Sequence, residues 1–159
     1  MARIFPICSS SSGNCTFIGT RGHGVLVDAG CSFRAMKSSL ELIETSMNQI
    51  EAIFITHEHI DHVKGLFQLT KHTKIPVFAS PGTIAQLRRN VHEVIPEEVR
   101  IYDVIHEPYQ SADFEVKAFH TPHDTPESVG FTVNYGGKRI AVCTDLGNCL
   151  LYTSPSPRD

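Results

Sequence analysis

The chain has 159 residues, 41% of them hydrophobic and 19% charged, with a formal net charge of −3. That balance suits one soluble globular domain with a buried core and leaves no overall basic footprint for nucleic acid, though a locally basic cleft stays compatible with it. The opening MARIFPICSS lacks the basic-then-apolar pattern of a secretory signal, and no apolar run approaches a membrane span, which points to the cytoplasm.

From the N-terminus, RIFPIC, CTFIG and VLVDAG are short apolar runs separated by SSSSGN and RGHG, the pattern of strands in a meander. SFRAMKSSLELIET follows, with Phe33, Met36, Leu40 and Ile43 at helical spacing and Ser32 as N-cap. EAIFIT predicts a buried strand, VKGLFQLTKHT a helix and IPVFAS another strand. A further helix is expected to begin at Pro81 with Ser80 as its cap, and its Arg88-Arg89 pair is expected on a charged surface. DFEVKAFH, SVGFTVNY and KRIAVCTD predict three more strands, the last two joined through Gly136-Gly137 as a hairpin. Strands interleaved with helices give an α/β (or α+β) domain without an internal linker. The five cysteines show no CxxC spacing, so reduced thiols are expected, with Cys8, Cys15 and Cys31 as small core residues.

THEHIDH, Thr56 to His62, directly follows the EAIFIT strand. Its three imidazoles and the Asp61 carboxylate cannot all face one side of a regular element, but an irregular turn at a strand end lets them converge on a pair of cations. His57 and His59 offer nitrogen donors, while Asp61 and His62 can point to a neighbouring position; such a set suits zinc and accepts manganese or iron. FHTPHD adds His120 and His123 at another strand end, and AVCTDLG adds Asp145, whose two oxygens can bridge two cations.

SSSSGN, VDAG, ITHEHIDHVKGL, HDTPESVGF and TDLG together resemble the metallo-β-lactamase superfamily, and more narrowly its YycJ/WalJ/VicX branch, over Arg3 to Gly147. The resemblance implies the first part of an αββα sandwich and a binuclear hydrolase, in this branch a DNA exonuclease-like phosphodiesterase. It implies that His57, His59 and His123 hold the first metal, that Asp61 and His62 hold the second and belong to the catalytic apparatus, and that Asp145 bridges. Asp28 of VDAG would support the ligand loop from behind. The family's ligand His directly precedes an Asp, which selects His123 over His120. The implied cofactors are two divalent ions, Zn2+ or Mn2+, which activate hydroxide for attack on a phosphodiester.

Ser11, Ser12, Gly13 and Asn14 become candidate phosphate contacts, with an ordinary turn as the alternative reading. Lys64 is a candidate substrate contact or a solvated lysine, and His120 a pocket or surface residue. DNA is the expected substrate. RNA 3′ ends, esters, thioesters and lactones are enzyme alternatives on the same scaffold, and a non-catalytic regulatory protein is the alternative outside enzymology.

The chain closes on CLLYTSPSPRD. From Cys149 these residues match, in one frame, the translation of a transposon-end adapter used in fragment-library sequencing; the other reading is a Ser/Pro-rich disordered tail. The expectation is an incomplete domain over 1–148 and a non-native tail over 149–159, with residue 148 itself partly adapter. The resemblance also calls for a second half with a final His ligand, whereas His123 is the last histidine here. Strands lacking that half are expected to leave the chain poorly soluble and inactive.

Overall fold

The computed structural model describes residues 2–90 and 95–147, so the expected foreign tail lies outside the described residues. Strands β1 (Arg3–Ser10) and β2 (Gly13–Thr20) form an antiparallel hairpin, and β3 (His23–Val27) extends it antiparallel to β2. The turn expected over SSSSGN contracts to Ser11 and Ser12, because Ser9, Ser10, Gly13 and Asn14 join the ladder.

Helix α1 (Phe33–Leu42) starts where Ser32 Oγ accepts from Ala35 N–H at 3.2 Å. It stops one residue before Ile43, with Glu44 at φ 58° and the Thr45 N–H bonded to the Leu40 carbonyl. That left-handed stop closes the helix without a glycine, so sequence gave no signal for it. Strand β4 (Ile50–Phe54) pairs parallel to β3.

The helix expected over VKGLFQLTKHT is two short ones, α2 (Ile60–Val63) and α3 (Leu66–His72). The break is at Gly65, whose N–H bonds the Ala29 carbonyl and where an added Cβ would lie 1.8 Å from the Cys31 carbonyl oxygen. Strand β5 (Val77–Ala79), helix α4 (Pro81–Arg89) and strand β6 (Ile101–Asp103) complete a six-stranded sheet in the order β1-β2-β3-β4-β5-β6.

Strands β7 (Tyr109–Gln110), β8 (Phe114–His120), β9 (Val129–Tyr135) and β10 (Lys138–Val142) form a second, antiparallel sheet ordered β10-β9-β8-β7. Gly136 and Gly137, at φ 56° and 72°, make the expected tight turn between β9 and β10. Strands β6 and β7 were not anticipated, being only three and two residues long.

Alternation across β3 and β4 explains two apolar layers. Leu26, Ile53 and Ile55 face one layer with Met36, Leu40, Leu66 and Phe67 of the helices, while Val25, Val27, Ala52 and Phe54 face Val116, Phe131 and Val133 of the second sheet. A central strand buried on both faces needs continuous apolar character, as EAIF has. The result is a helical layer on one sheet and a second sheet on its other face. Asp28, Thr56 and Ser80 follow the carboxyl ends of the parallel strands β3, β4 and β5, the end where open α/β sheets place their sites.

Candidate metal centre

Asp28 leaves β3 in the left-handed region at φ 62°, a conformation a β-substituted residue adopts at a cost. The turn aims its buried carboxylate at the next strand end. Oδ1 accepts from the Thr56 N–H at 2.8 Å, both oxygens lie 2.9–3.0 Å from Thr56 Oγ1, and Oδ2 lies 2.8 Å from His62 Nδ1. An ionised carboxylate only accepts, so His62 carries its proton on Nδ1 and Thr56 donates its hydroxyl hydrogen to Asp28. Thr56 Oγ1 then accepts from His57 Nδ1–H at 3.0 Å. Both rings are thereby fixed with Nε2 unprotonated and free to donate a lone pair.

Those two Nε2 atoms face the same space. His62 Nε2 lies 2.6 Å from Asp145 Oδ2 and 3.3 Å from Asp61 Oδ2. His57 Nε2 is 3.5 Å from Asp145 Oδ2 and makes no hydrogen bond, although it is fully buried. On the other side, His59 Nδ1 and His123 Nε2 are 3.2 Å apart, each ring 4.7 Å edge-on from the His57 ring. Donor atoms of His57, His59 and His123 lie within 4.8 Å of one another, and so do those of His57, His62 and Asp145. His57 belongs to both groups, and Asp61 adjoins the second through His62.

Electrostatics favour a neutral donor at the centre. Burial first, then the neighbouring His62, His59 and His123, push His57 down to about 3, against the pull of Asp145. Burial also pulls His62 down, but its bond to Asp28 and the charges of Asp28, Asp61 and Asp145 outweigh it and leave the ring raised. Burial pushes the Asp28 carboxyl up, with the His62 and Thr56 hydrogen bonds opposing. A buried imidazole nitrogen without a partner, ringed by two more imidazoles and a carboxylate, fits divalent cations.

Several segments lock this geometry. Gly30 N–H bonds the Asn14 carbonyl, and a Cβ on Gly30 would fall 1.6 Å from the Asp61 carbonyl oxygen. The Asn14 amide donates to Asp61 Oδ2 at 3.2 Å. Ser80 caps α4 through Thr83 N–H and donates to the Glu127 carbonyl, while the Glu127 carboxylate accepts from Gly82 N–H. The helix start is thus tied to the loop that carries His123. Asp145 sits at φ 49°, and Gly147 N–H returns to the Pro122 carbonyl. Pro122, His123, Asp124 and Gly147 line an open depression of about 560 Å³. A second concavity of about 350 Å³, beside Leu87, Val99 and Ile101, contains none of the converging side chains.

The remaining candidates separate. Ser11, Ser12, Lys64 and His120 are exposed. Gly13 is buried against the Gly30 carbonyl and Asn14 is turned to Asp61, so neither presents itself as a phosphate contact. His120 is the last residue of β8, paired with Val129, and belongs to neither converging group. Thr56, Asp124 (Oδ1 3.2 Å from His123 Nδ1 and 3.8 Å from His59 Nε2) and Thr144 (Oγ1 3.4 Å from Thr56 Oγ1) were not singled out beforehand. Only their places beside ligand-bearing positions could have flagged them. Cys31, expected as a small core residue, is partly buried against the helix-side apolar layer and follows the Asp28–Gly30 turn directly.

Residues 23–151 match a family described as a beta-lactamase superfamily domain. The chain is 30% identical over 141 residues to exodeoxyribonuclease YycJ of Bacillus anthracis, covering 89% of this chain and 53% of that protein. It is 28% identical over 130 residues to ribonuclease J 1 of Streptococcus pyogenes serotype M3, covering 76% of this chain and 23% of that one. The chain therefore spans about half the length of the first relative and less of the second. Among solved structures, a metallo-β-lactamase with a HARLDQ motif from Cronobacter sakazakii superposes with TM-score 0.75 at 19% identity, covering 91% of this chain and 60% of that chain. At that identity the likeness concerns the fold.

Proposed function

The chain belongs to the metallo-β-lactamase superfamily, and on that premise we propose a divalent-cation-dependent hydrolase of nucleic-acid phosphodiesters whose substrate is DNA. In this reading His57, His59 and His123 hold one ion, Asp61 and His62 the other, and Asp145 lies between them; the ions are Zn2+ or Mn2+. The observation that carries it is the buried, partnerless His57 Nε2 shared by the two donor groups. Divalent cations at those positions supply Lewis acidity and a hydrolytic nucleophile near neutral pH.

The chain's own residues do the positioning. Asp28 and Thr56 hold two rings in the donor tautomer, and the Asn14 amide holds Asp61. Lys64 and the Ser11-Ser12 turn are exposed and available to a phosphate backbone. Ile60 and Leu146 are exposed apolar side chains next to Asp61 and Asp145, suited to touch a sugar or base. DNA is favoured by the match to an exodeoxyribonuclease.

The match to a ribonuclease supports RNA as the second reading. Incubating end-labelled DNA and RNA of one sequence, alongside a thioester and a lactone, with Mn2+ or Zn2+ separates these. In the protein extended to the full length of its relatives, the expected result is stepwise shortening of DNA that His59→Ala abolishes. Faster RNA shortening would favour the second reading. Thioester or lactone turnover alone, or bound cations with no turnover of any substrate, would overturn both.

A further inference from the structure

Cys8, Cys15 and Cys31 are distant in sequence and meet in the fold. Cys8 and Cys15 are direct partners in the β1–β2 ladder, just past the register shift between Pro6 and Cys8. Cys31 arrives from the Asp28–Gly30 turn, laced to β2 by the Gly30 N–H to Asn14 carbonyl bond of 2.8 Å. A Cβ built at Gly13, two residues before Cys15, would lie 3.6 Å from the Cys31 backbone N, which sets Cys31 beside the hairpin that carries Cys8 and Cys15. All are unbridged and pack against the helix-side apolar layer; Cys15 is buried, while Cys8 and Cys31 retain partial exposure.

The geometry points to an oxidative modification site in which Cys31 is the attacking thiol and Cys8 its disulfide partner, closing a bond beside the ligand loop. The division of roles follows from access and acidity. Cys31 and Cys8 are the two that solvent reaches. The contact with Cys15 brings the Cys31 thiol down to about 6, while burial takes Cys8 up to about 12. One nucleophilic sulfur beside a protonated neighbour is the arrangement that attacks and is then resolved.

With a hydroperoxide as oxidant the step balances. The Cys31 thiolate attacks the terminal peroxide oxygen, the O–O bond breaks, and Cys31 becomes a sulfenic acid. The Cys8 sulfur then attacks the Cys31 sulfur, and water leaves. Two thiols lose two electrons, and hydrogen peroxide is reduced to two waters. The bond draws on the turn that holds Gly30 flush against the Asp61 carbonyl, so it also lowers cation affinity. That second consequence rests on the metal reading above; the disulfide does not.

The purified protein is treated with micromolar hydrogen peroxide, blocked with an alkylating agent and mapped by mass spectrometry. The expected product is a Cys8–Cys31-linked peptide that dithiothreitol reverses. Cys31→Ser removes the link and leaves Cys8 alkylatable, and Cys8→Ser leaves a Cys31 sulfenic acid that dimedone traps. Zn2+ affinity, read against a chromophoric chelator, falls about 10-fold on oxidation and recovers on reduction. Cys31 staying reduced at doses that oxidise the exposed Cys143, or a bridge lacking either Cys8 or Cys31, overturns the site. A mapped Cys8–Cys31 bridge with unchanged Zn2+ affinity overturns the coupling alone.

Discussion

Thr56 offers no imidazole or carboxylate, yet its hydroxyl joins Asp28 to His57 and sets which nitrogen of that ring is free. Thr56→Val should leave the His57 Nδ1–H buried without an acceptor and cost about 1–3 kcal/mol of stability, measured by urea denaturation, along with weaker cation binding. His123→Ala should lose more activity than the roughly 10- to 100-fold typical of supporting residues. His120→Ala should stay near parental activity; equal losses would place the wrong histidine at the centre.

Acidity gives a separate handle on the cation-free protein. His57 is held neutral when folded, at about 3, below its ordinary 6.5, so unfolding takes up a proton. Its contribution to stability is whole above about 6.5 and fades as pH falls toward about 3. A plot of Tm against pH after chelation should fall through that window, less steeply in His57→Gln. The ligand run was legible because its donors are contiguous in HxHxDH. Thr56, Asp124 and the true partner of Asn14 were not, because contacts between distant segments leave no spacing to read.

At the scale of elements, the Asp28–Gly30 turn and the ligand loop are built without slack. Gly30→Ala would put a methyl 1.6 Å from the Asp61 carbonyl oxygen, and backbone must move to admit it. Destabilisation of about 1–3 kcal/mol is expected by chemical denaturation, with cation affinity reduced in the same variant. Ser80→Ala removes both the α4 cap and the bond to the Glu127 carbonyl, and should cost about 1 kcal/mol or somewhat more in the same assay. Helices α1 and α4 were readable from spacing and caps. The split between α2 and α3 was not, since Gly65 is there for the Ala29 and Cys31 carbonyls rather than for any local signal. Strands β6 and β7 are too short to show periodicity.

For the molecule as a whole, one sheet separates two apolar layers and hands both sheets' strand ends to a common edge. Ligands from β4's end, the β8–β9 loop and the segment after β10 can meet only if the sheets pack face to face. The alternation of strand and helix, with continuous apolar central strands, made the α/β class readable. The pairing of sheets was implied only by resemblance, because strand order carries no local trace. The central claim is a paired-cation centre in which His57, His59 and His123 hold one ion and Asp61 and His62 the other, with Asp145 between them. Elemental analysis of the protein extended to the full length of its relatives, loaded with Zn2+ and desalted, tests it most directly: the account predicts two ions per molecule, and about one in His57→Ala and in Asp61→Ala. Fewer than two ions in the parental protein, or an undiminished content in His57→Ala, would contradict it.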